Sequence, residues 1–180
     1  MKNHTDLPKI WLMTDARNDH MLESVIRKMP RRSGIIFRHY HLDMESRCRR
    51  FAEIQKLAHR RNHLILLAGP PALARKWKAD GVHGRQWKRR ETNGLVHSAA
   101  AHDRAEIGQA KGNGAELIFL SPLFATRSHP DVRPLALSQV RRLMDLVSGK
   151  IILLGGMDAK RYRRHGHLRA HGWAAIDGLM

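Results

Sequence analysis

Thr126, Arg127, Ser128 and His129 stand side by side just after a short apolar run, Leu117 to Leu120. Two hydroxyls, a guanidinium and an imidazole in one loop can donate several hydrogen bonds to an oxyanion, although an ordinary polar loop has the same composition. A second apolar run, Ile151 to Leu154, breaks into Gly155 and Gly156. A glycine pair lets the backbone approach a ligand closely, and the N-terminus of a following helix offers unpaired N–H groups to an anion. Arg38, at the end of the run Gly34 to Phe37, adds a fixed cation. His102 follows a further apolar run, Leu95 to Ala100. The chemistry these residues share is the binding of a phosphate-bearing ligand. On this reading Gly156→Asp abolishes phosphate binding without touching the core. His83, His97 and His102 are also candidate metal ligands, but no carboxylate accompanies them at metal-binding spacing, so no metal site is assigned.

The elements that must carry these residues alternate along the chain. Lys9 to Asp15 is an apolar run ending in Thr14 and Asp15, and Asp19 to Met29 places Met21, Leu22, Val25, Ile26 and Met29 at helical spacing. Gly34 to Tyr40 is a second strand and Glu45 to Arg61 a helix with Phe51, Ile54, Leu57 and Ala58 on one face. His63 to Ala68 is a third strand, and Gly69-Pro70-Pro71 stops it and starts a helix over Ala72 to Lys78. Gly81 to Gln86 is a weak fourth strand followed by the polar segment Trp87 to Asn93. Leu95 to Ala100 is the fifth strand, Asp103 to Lys111 a helix closed by Gly112-Asn113-Gly114, and Leu117 to Leu120 the sixth strand. Leu137 to Val147 is a helix, Lys150 to Leu154 a strand, Asp158 the cap of a short basic helix, and Trp173 to Ile176 the last strand.

Eight strands alternating with seven helices predict an α/β fold, a short (β/α)8 TIM barrel lacking its last helix, with residues 1–180 forming one domain. An open doubly wound sheet is the alternative. In a barrel, the carboxyl ends of the strands form the functional face, which gathers the residues singled out above.

The bulk composition narrows the setting. A chain of 180 residues with 42% hydrophobic content has enough apolar surface for one core. Its single cysteine, Cys48, excludes an internal disulfide and fits a reducing compartment. No run approaches the roughly 18 apolar residues of a membrane span, and the N-terminus lacks a secretory signal, so a cytoplasmic protein with no membrane partner is expected. The formal charge of +17 suits phosphorylated small molecules. It also allows a nucleic-acid partner, but the basic residues are dispersed, and 6% aromatic content gives little for bases to stack on, so that partner is not favoured.

Several short elements, in order, resemble the thiamine phosphate synthase and thiazole tautomerase (TenI-like) family of TIM barrels. IWLMTD is similar to its first strand, L-Y-L-I-T-D, and ADGVHGRQ to A-D-G-V-H-L-G-Q. GAELIFLSPLFATRSHP resembles G-A-D-Y-I-G-x-G-P-V-F-x-T-x-T-K-P, LLGGM resembles A-I-G-G-I, and His102 falls at the histidine of the S-x-H segment. Pro122 follows the synthase pattern; the tautomerase branch places a histidine there.

The resemblance implies a role in thiamine biosynthesis: an aminopyrimidine pyrophosphate loses pyrophosphate with magnesium help, and a thiazole phosphate nitrogen captures the resulting cation. It implies substrate contacts at Arg38, His102, Thr126, Arg127, Ser128, His129, Gly155 and Gly156. Magnesium is the expected cofactor, but the two metal aspartates of the family fall at Gly69 and Lys88. The family's serine before the histidine is Ala100, the lysine of its phosphate loop is His129, and the serine after its last strand is Asp177. Reduced catalysis, or a non-catalytic barrel that binds a phosphorylated ligand, is the expectation from those departures.

Overall fold

The computed structural model describes residues 6–125, 133–147 and 149–179. Its strands are β1 (Ile10–Met13), β2 (Gly34–Phe37), β3 (Leu64–Ala68), β4 (Gly81–His83), β5 (Val96–Ala101), β6 (Leu117–Leu120), β7 (Lys150–Leu153) and β8 (Gly172–Ala175). All pair in parallel in chain order, and β8 returns to β1 to close the barrel. The helices between them are α1 (Leu22–Lys28), α2 (Met44–Arg60), α3 (Pro71–Lys76), α4 (Arg89–Thr92), α5 (Arg104–Gly112), α6 (Leu137–Asp145) and α7 (Ala159–Arg164). Among the described residues no helix follows β8. The sequence expectation of a closed barrel is met, and the open sheet is set aside.

Each strand is short and buried on both faces, so the runs read as continuous hydrophobic segments. Alternate residues point inward, and Trp11, Ile36, Leu66, Leu117, Phe119 and Ile152 meet in the barrel interior. Outward residues pack under the helices in two shells, one beneath α1 to α3 and one beneath α5 to α7. Trp11 sits edge-on to Phe119 with ring centroids 5.5 Å apart, and its Nε1 donates to the Pro8 carbonyl at 2.7 Å. The ring occupies the space above Gly34, where any Cβ would overlap it.

Two boundaries differ from the sequence expectation. The first helix begins as a 3-10 segment, Ala16–Met21, because Asn18 folds under it. The Asn18 side chain accepts from the Asp15 N–H at 2.8 Å and donates to the carbonyls of Met13 and Ile176, both at 3.1 Å, so it ties β1 to the segment after β8. The fourth strand ends at His83 rather than Gln86, since Gly84 still donates to Ser98 but Arg85 turns away to meet α5.

The polar strand ends have a local role that precedes any ligand. Asp43, Asp103 and Asp158 each cap the helix that follows them, accepting from Ser46, Glu106 and Arg161 N–H groups respectively. Replacing such a cap by alanine removes a hydrogen bond at a helix end. Asp103→Ala is expected to lower stability by about 1 kcal/mol, read as a shift of the urea midpoint.

Candidate active site

A cleft of about 830 Å³ opens at the carboxyl end of the barrel. Arg38 enters it from β2, His102 from β5, Ser121 and Pro122 from β6, Gly155 and Gly156 from β7, and Ile176 and Asp177 from β8. Four of the residues predicted from sequence, Arg38, His102, Gly155 and Gly156, are thus brought together. Thr126, Arg127, Ser128 and His129 lie outside the described residues; Ala125, just before them, lines the cleft.

Arg38 is held rather than free. Its Nε donates to the Thr14 carbonyl at 2.9 Å and its Nη2 to Asp15 Oδ2 at 2.7 Å. Burial lowers the arginine's pKa, an effect that Asp15 opposes. Arg17 holds the Asp15 carboxyl below the usual range through a 2.9 Å bond. Thr14 Oγ1 accepts from the Arg38 N–H at 2.9 Å and is hydrogen-bonded to His39 Nδ1 at 2.8 Å. The Asp19 carboxylate only accepts, so His39 Nε2 carries the hydrogen and donates to it at 2.8 Å, while burial lowers the ring's pKa and favours the neutral form, in which Nδ1 accepts from Thr14. His39 is structural, as is His97, whose Nε2 donates to the Gly84 carbonyl at 2.8 Å.

The Gly155-Gly156 turn has positive φ at both positions, 97° and 60°. A Cβ on Gly155 would lie 2.7 Å from Pro122 Cα, and one on Gly156 would lie 2.9 Å from Phe124 Cβ and 3.0 Å from the Ala125 carbonyl oxygen. Gly156→Asp therefore strains the backbone as well as adding charge, contrary to the sequence expectation. The milder Gly156→Ala is expected to cost about 1–2 kcal/mol in thermal or urea denaturation.

The helix after the turn, whose N-terminus the sequence suggested as an anion site, starts on the cap that the sequence also marked. Asp158 accepts from the Arg161 N–H at 2.8 Å and covers that end itself. Arg161 is a cleft residue the sequence reading left in a basic cluster. Its guanidinium donates to the Gly156 carbonyl and lies 4.8 Å above the Phe124 ring. Together with Asp158 and Asp177, these groups make the described wall mixed in charge.

Arg47 was also missed. It is only 8% exposed, and it donates from Nε to the Arg38 carbonyl at 3.0 Å and from Nη2 to the Ala68 carbonyl at 2.7 Å. Its guanidinium faces the rings of Tyr40 and Trp77 at 5.3 and 5.8 Å. Its position in the second turn of a basic helix gave no sign of this.

A closed eight-stranded barrel with a ligand-sized cleft at the carboxyl edge of its strands defines the TIM-barrel class. Within that class, the chain belongs to the thiamine monophosphate synthase family, whose family model matches residues 11–179. It is 27% identical over 191 residues to the thiamine-phosphate synthase of Synechococcus sp. (strain WH7803), spanning 99% of this chain and 54% of that one. It is 25% identical over 186 residues to the thiamine-phosphate synthase of Caldivirga maquilingensis, spanning 100% of this chain and 83% of that one. The fold superposes on a thiamine phosphate pyrophosphorylase from Pyrococcus furiosus with a TM-score of 0.79 at 18% identity, covering 93% of this chain and 85% of that one. Phosphorylated small molecules are the substrates this family implies.

The magnesium associated with the family does not fit the described residues. At Gly69, where the resemblance puts one metal aspartate, a side chain would start 3.9 Å from Arg47 Nη1. At Lys88, the other position, a further cation stands. Neither residue type binds a hard cation, and among the described residues no group of three or more His, Cys, Asp or Glu is placed to hold a metal.

Proposed function

We propose that this chain joins an aminopyrimidine pyrophosphate to a thiazole phosphate, as a thiamine-phosphate-synthase-like protein of thiamine biosynthesis. The observation that carries the reading is the convergence of Arg38, His102, Gly155 and Gly156, from four strands, on one cleft in a chain that its family model matches almost throughout. In this reading the glycine turn lets the backbone approach the thiazole phosphate, with Thr126, Arg127, Ser128 and His129 as further donors, and Arg38 faces the pyrophosphate half. We take residues 1–180 as one domain acting in the cytoplasm; no helix among the described residues is long and apolar enough to cross a membrane. Purified protein given both substrates, with and without magnesium, is expected to form thiamine phosphate. No product under either condition overturns the catalytic reading.

A second reading, a barrel that binds a phosphorylated ligand without turnover, is favoured by Gly69, Lys88 and Asp177 at positions where the family resemblance implies two metal aspartates and a phosphate-binding serine. Calorimetric binding of thiazole phosphate with no product formed would select it. Nucleic-acid binding through the basic surface requires affinity for RNA that falls steeply with salt, and a flat salt dependence removes it.

A further inference from the structure

A departing diphosphate builds negative charge on oxygen, and a preorganised donor must meet it. Among the described residues no carboxylates are placed to hold a metal, and a side chain of the cleft can supply that donor. Arg38 is already paired with Asp15 at 2.7 Å, and Arg161 is bonded to the Gly156 carbonyl. His102 differs from both, because one ring nitrogen is fixed and the other is left for a ligand.

The fixing group is Glu106. Its Oε2 accepts from His102 Nδ1 at 2.7 Å and from the His102 backbone N–H at 2.8 Å. Its Oε1 pairs with Arg85 Nη2 at 2.9 Å. Arg85 is anchored in turn on the Ala100 carbonyl at 3.1 Å and Gln109 Oε1 at 3.0 Å. Glu106 is itself placed by its backbone N–H on Asp103 at 2.8 Å. A carboxylate only accepts, so Nδ1 carries the hydrogen and Nε2 is the atom free to meet a ligand. A helix cap needs only the backbone bond; here the same carboxylate also orients a ring in the cleft and holds a guanidinium from the preceding loop.

We propose that Glu106 is a positioning residue that, by holding Nδ1–H, turns His102 Nε2 to the cleft, and that His102 in its imidazolium form, with a second hydrogen on Nε2, gives that proton to the departing diphosphate. The proposal rests on the coupling reaction proposed above. In the step, the bond between the pyrimidine methylene carbon and the diphosphate oxygen breaks, its electron pair stays on that oxygen, and the oxygen takes the Nε2 proton. The thiazole nitrogen's lone pair forms the new carbon–nitrogen bond. His102 is left neutral with Nδ1–H still on Glu106 and regains its proton from water. The charged groups around it are Asp103 and Glu106 on its own side, Arg85 from the preceding loop, and Arg38, Asp158, Arg161 and Asp177 in the cleft.

Glu106→Gln and His102→Asn test the proposal, the former keeping an oxygen that caps the backbone. Binding of inorganic pyrophosphate by calorimetry and turnover of both substrates are followed from about pH 5 to about pH 9. Wild type is expected to lose affinity and kcat as one proton leaves with rising pH. Glu106→Gln moves that fall to lower pH, and His102→Asn abolishes it and lowers kcat about 100-fold. Variants that fold by circular dichroism and keep the wild-type pH dependence in both measurements overturn the proposal. Absence of product from wild type overturns the coupling reaction and the proton transfer with it; the positioning role then stands or falls on the pyrophosphate titrations alone.

Discussion

Gly172→Ala is expected to lose about 3 kcal/mol or more of unfolding free energy, the largest stability effect among the substitutions considered. Gly172 is the first residue of β8, and a Cβ there would overlap the Lys9 carbonyl. That carbonyl is not free to yield. It accepts the Trp173 N–H at 2.8 Å, at the point where β8 pairs with β1. Relief of the overlap therefore opens the strand pair that closes the barrel. Gly112→Ala is the matched control: nothing lies within 4 Å of its added Cβ, at the last position of α5. There the change from glycine is expected to be neutral or to stabilise by up to about 1 kcal/mol. Urea midpoints of the two variants check the pair, and equal midpoints would show that the seam tolerates a methyl group.

Lowering the pH from 7 to 5 is expected to destabilise the protein before its carboxylates titrate. Burial, with help from Arg38 and His97, pushes the His83 pKa down to about 3. The ring stands edge-on to Phe119 at 5.4 Å and shares a 2.9 Å hydrogen bond with Ser98. An unfolded histidine takes up its proton near pH 6.5, whereas the folded one stays neutral until about 3. Between those values the unfolded chain binds more protons, so stability falls as pH falls. At pH 5 the cost from His83 is about 1–2 kcal/mol, after discounting for the residue's partial exposure. His39 and His63, also lowered by burial, act in the same direction.

A second phase belongs to carboxylates whose folded pKa is depressed, and its stability is lost below the ordinary carboxylate range. These are Asp15 beside Arg17, Glu23 beside Arg50, and Asp19, whose burial is outweighed by its bonds to His39 and Arg50. His83→Gln separates the phases. It should flatten the dependence of the urea midpoint between pH 7 and about pH 5 and leave the lower phase in place. Parallel curves for variant and wild type would mean that His83 does not carry the upper one.

What the sequence made legible follows from reach. Buried strands declare themselves as short apolar runs, and Leu117 to Leu120 emerges as β6 with unchanged limits. Strand-end residues were legible too, because parallel connections bring every carboxyl end to one face; Arg38, His102, Gly155 and Gly156 met there as expected. Side chains that act across elements were not. Arg47 reaches from α2 to the ends of β2 and β3, and no local pattern reports such a span. Glu106 left a fainter trace, since its four-residue spacing from His102 allows the two side chains to meet. Asp158 was legible as the cap of α7, but the same carboxylate stands at the helix end where an anion site was expected. The 3-10 start before α1 depends on Asn18 touching a carbonyl beyond β8, which no window around Asn18 contains.

That last contact bears on how the chain is made. Asn18 and Ile176 are 158 positions apart, and the strands they join, β1 and β8, are among the first and last elements in the order of synthesis. While the ribosome is still translating, β1 has β2 beside it and a bare hydrogen-bonding edge on its other flank. That edge is a template for pairing with another nascent chain until β8 emerges to occupy it. Dependence on holdase chaperones should accordingly concentrate in the interval before residues 172–176 leave the exit tunnel.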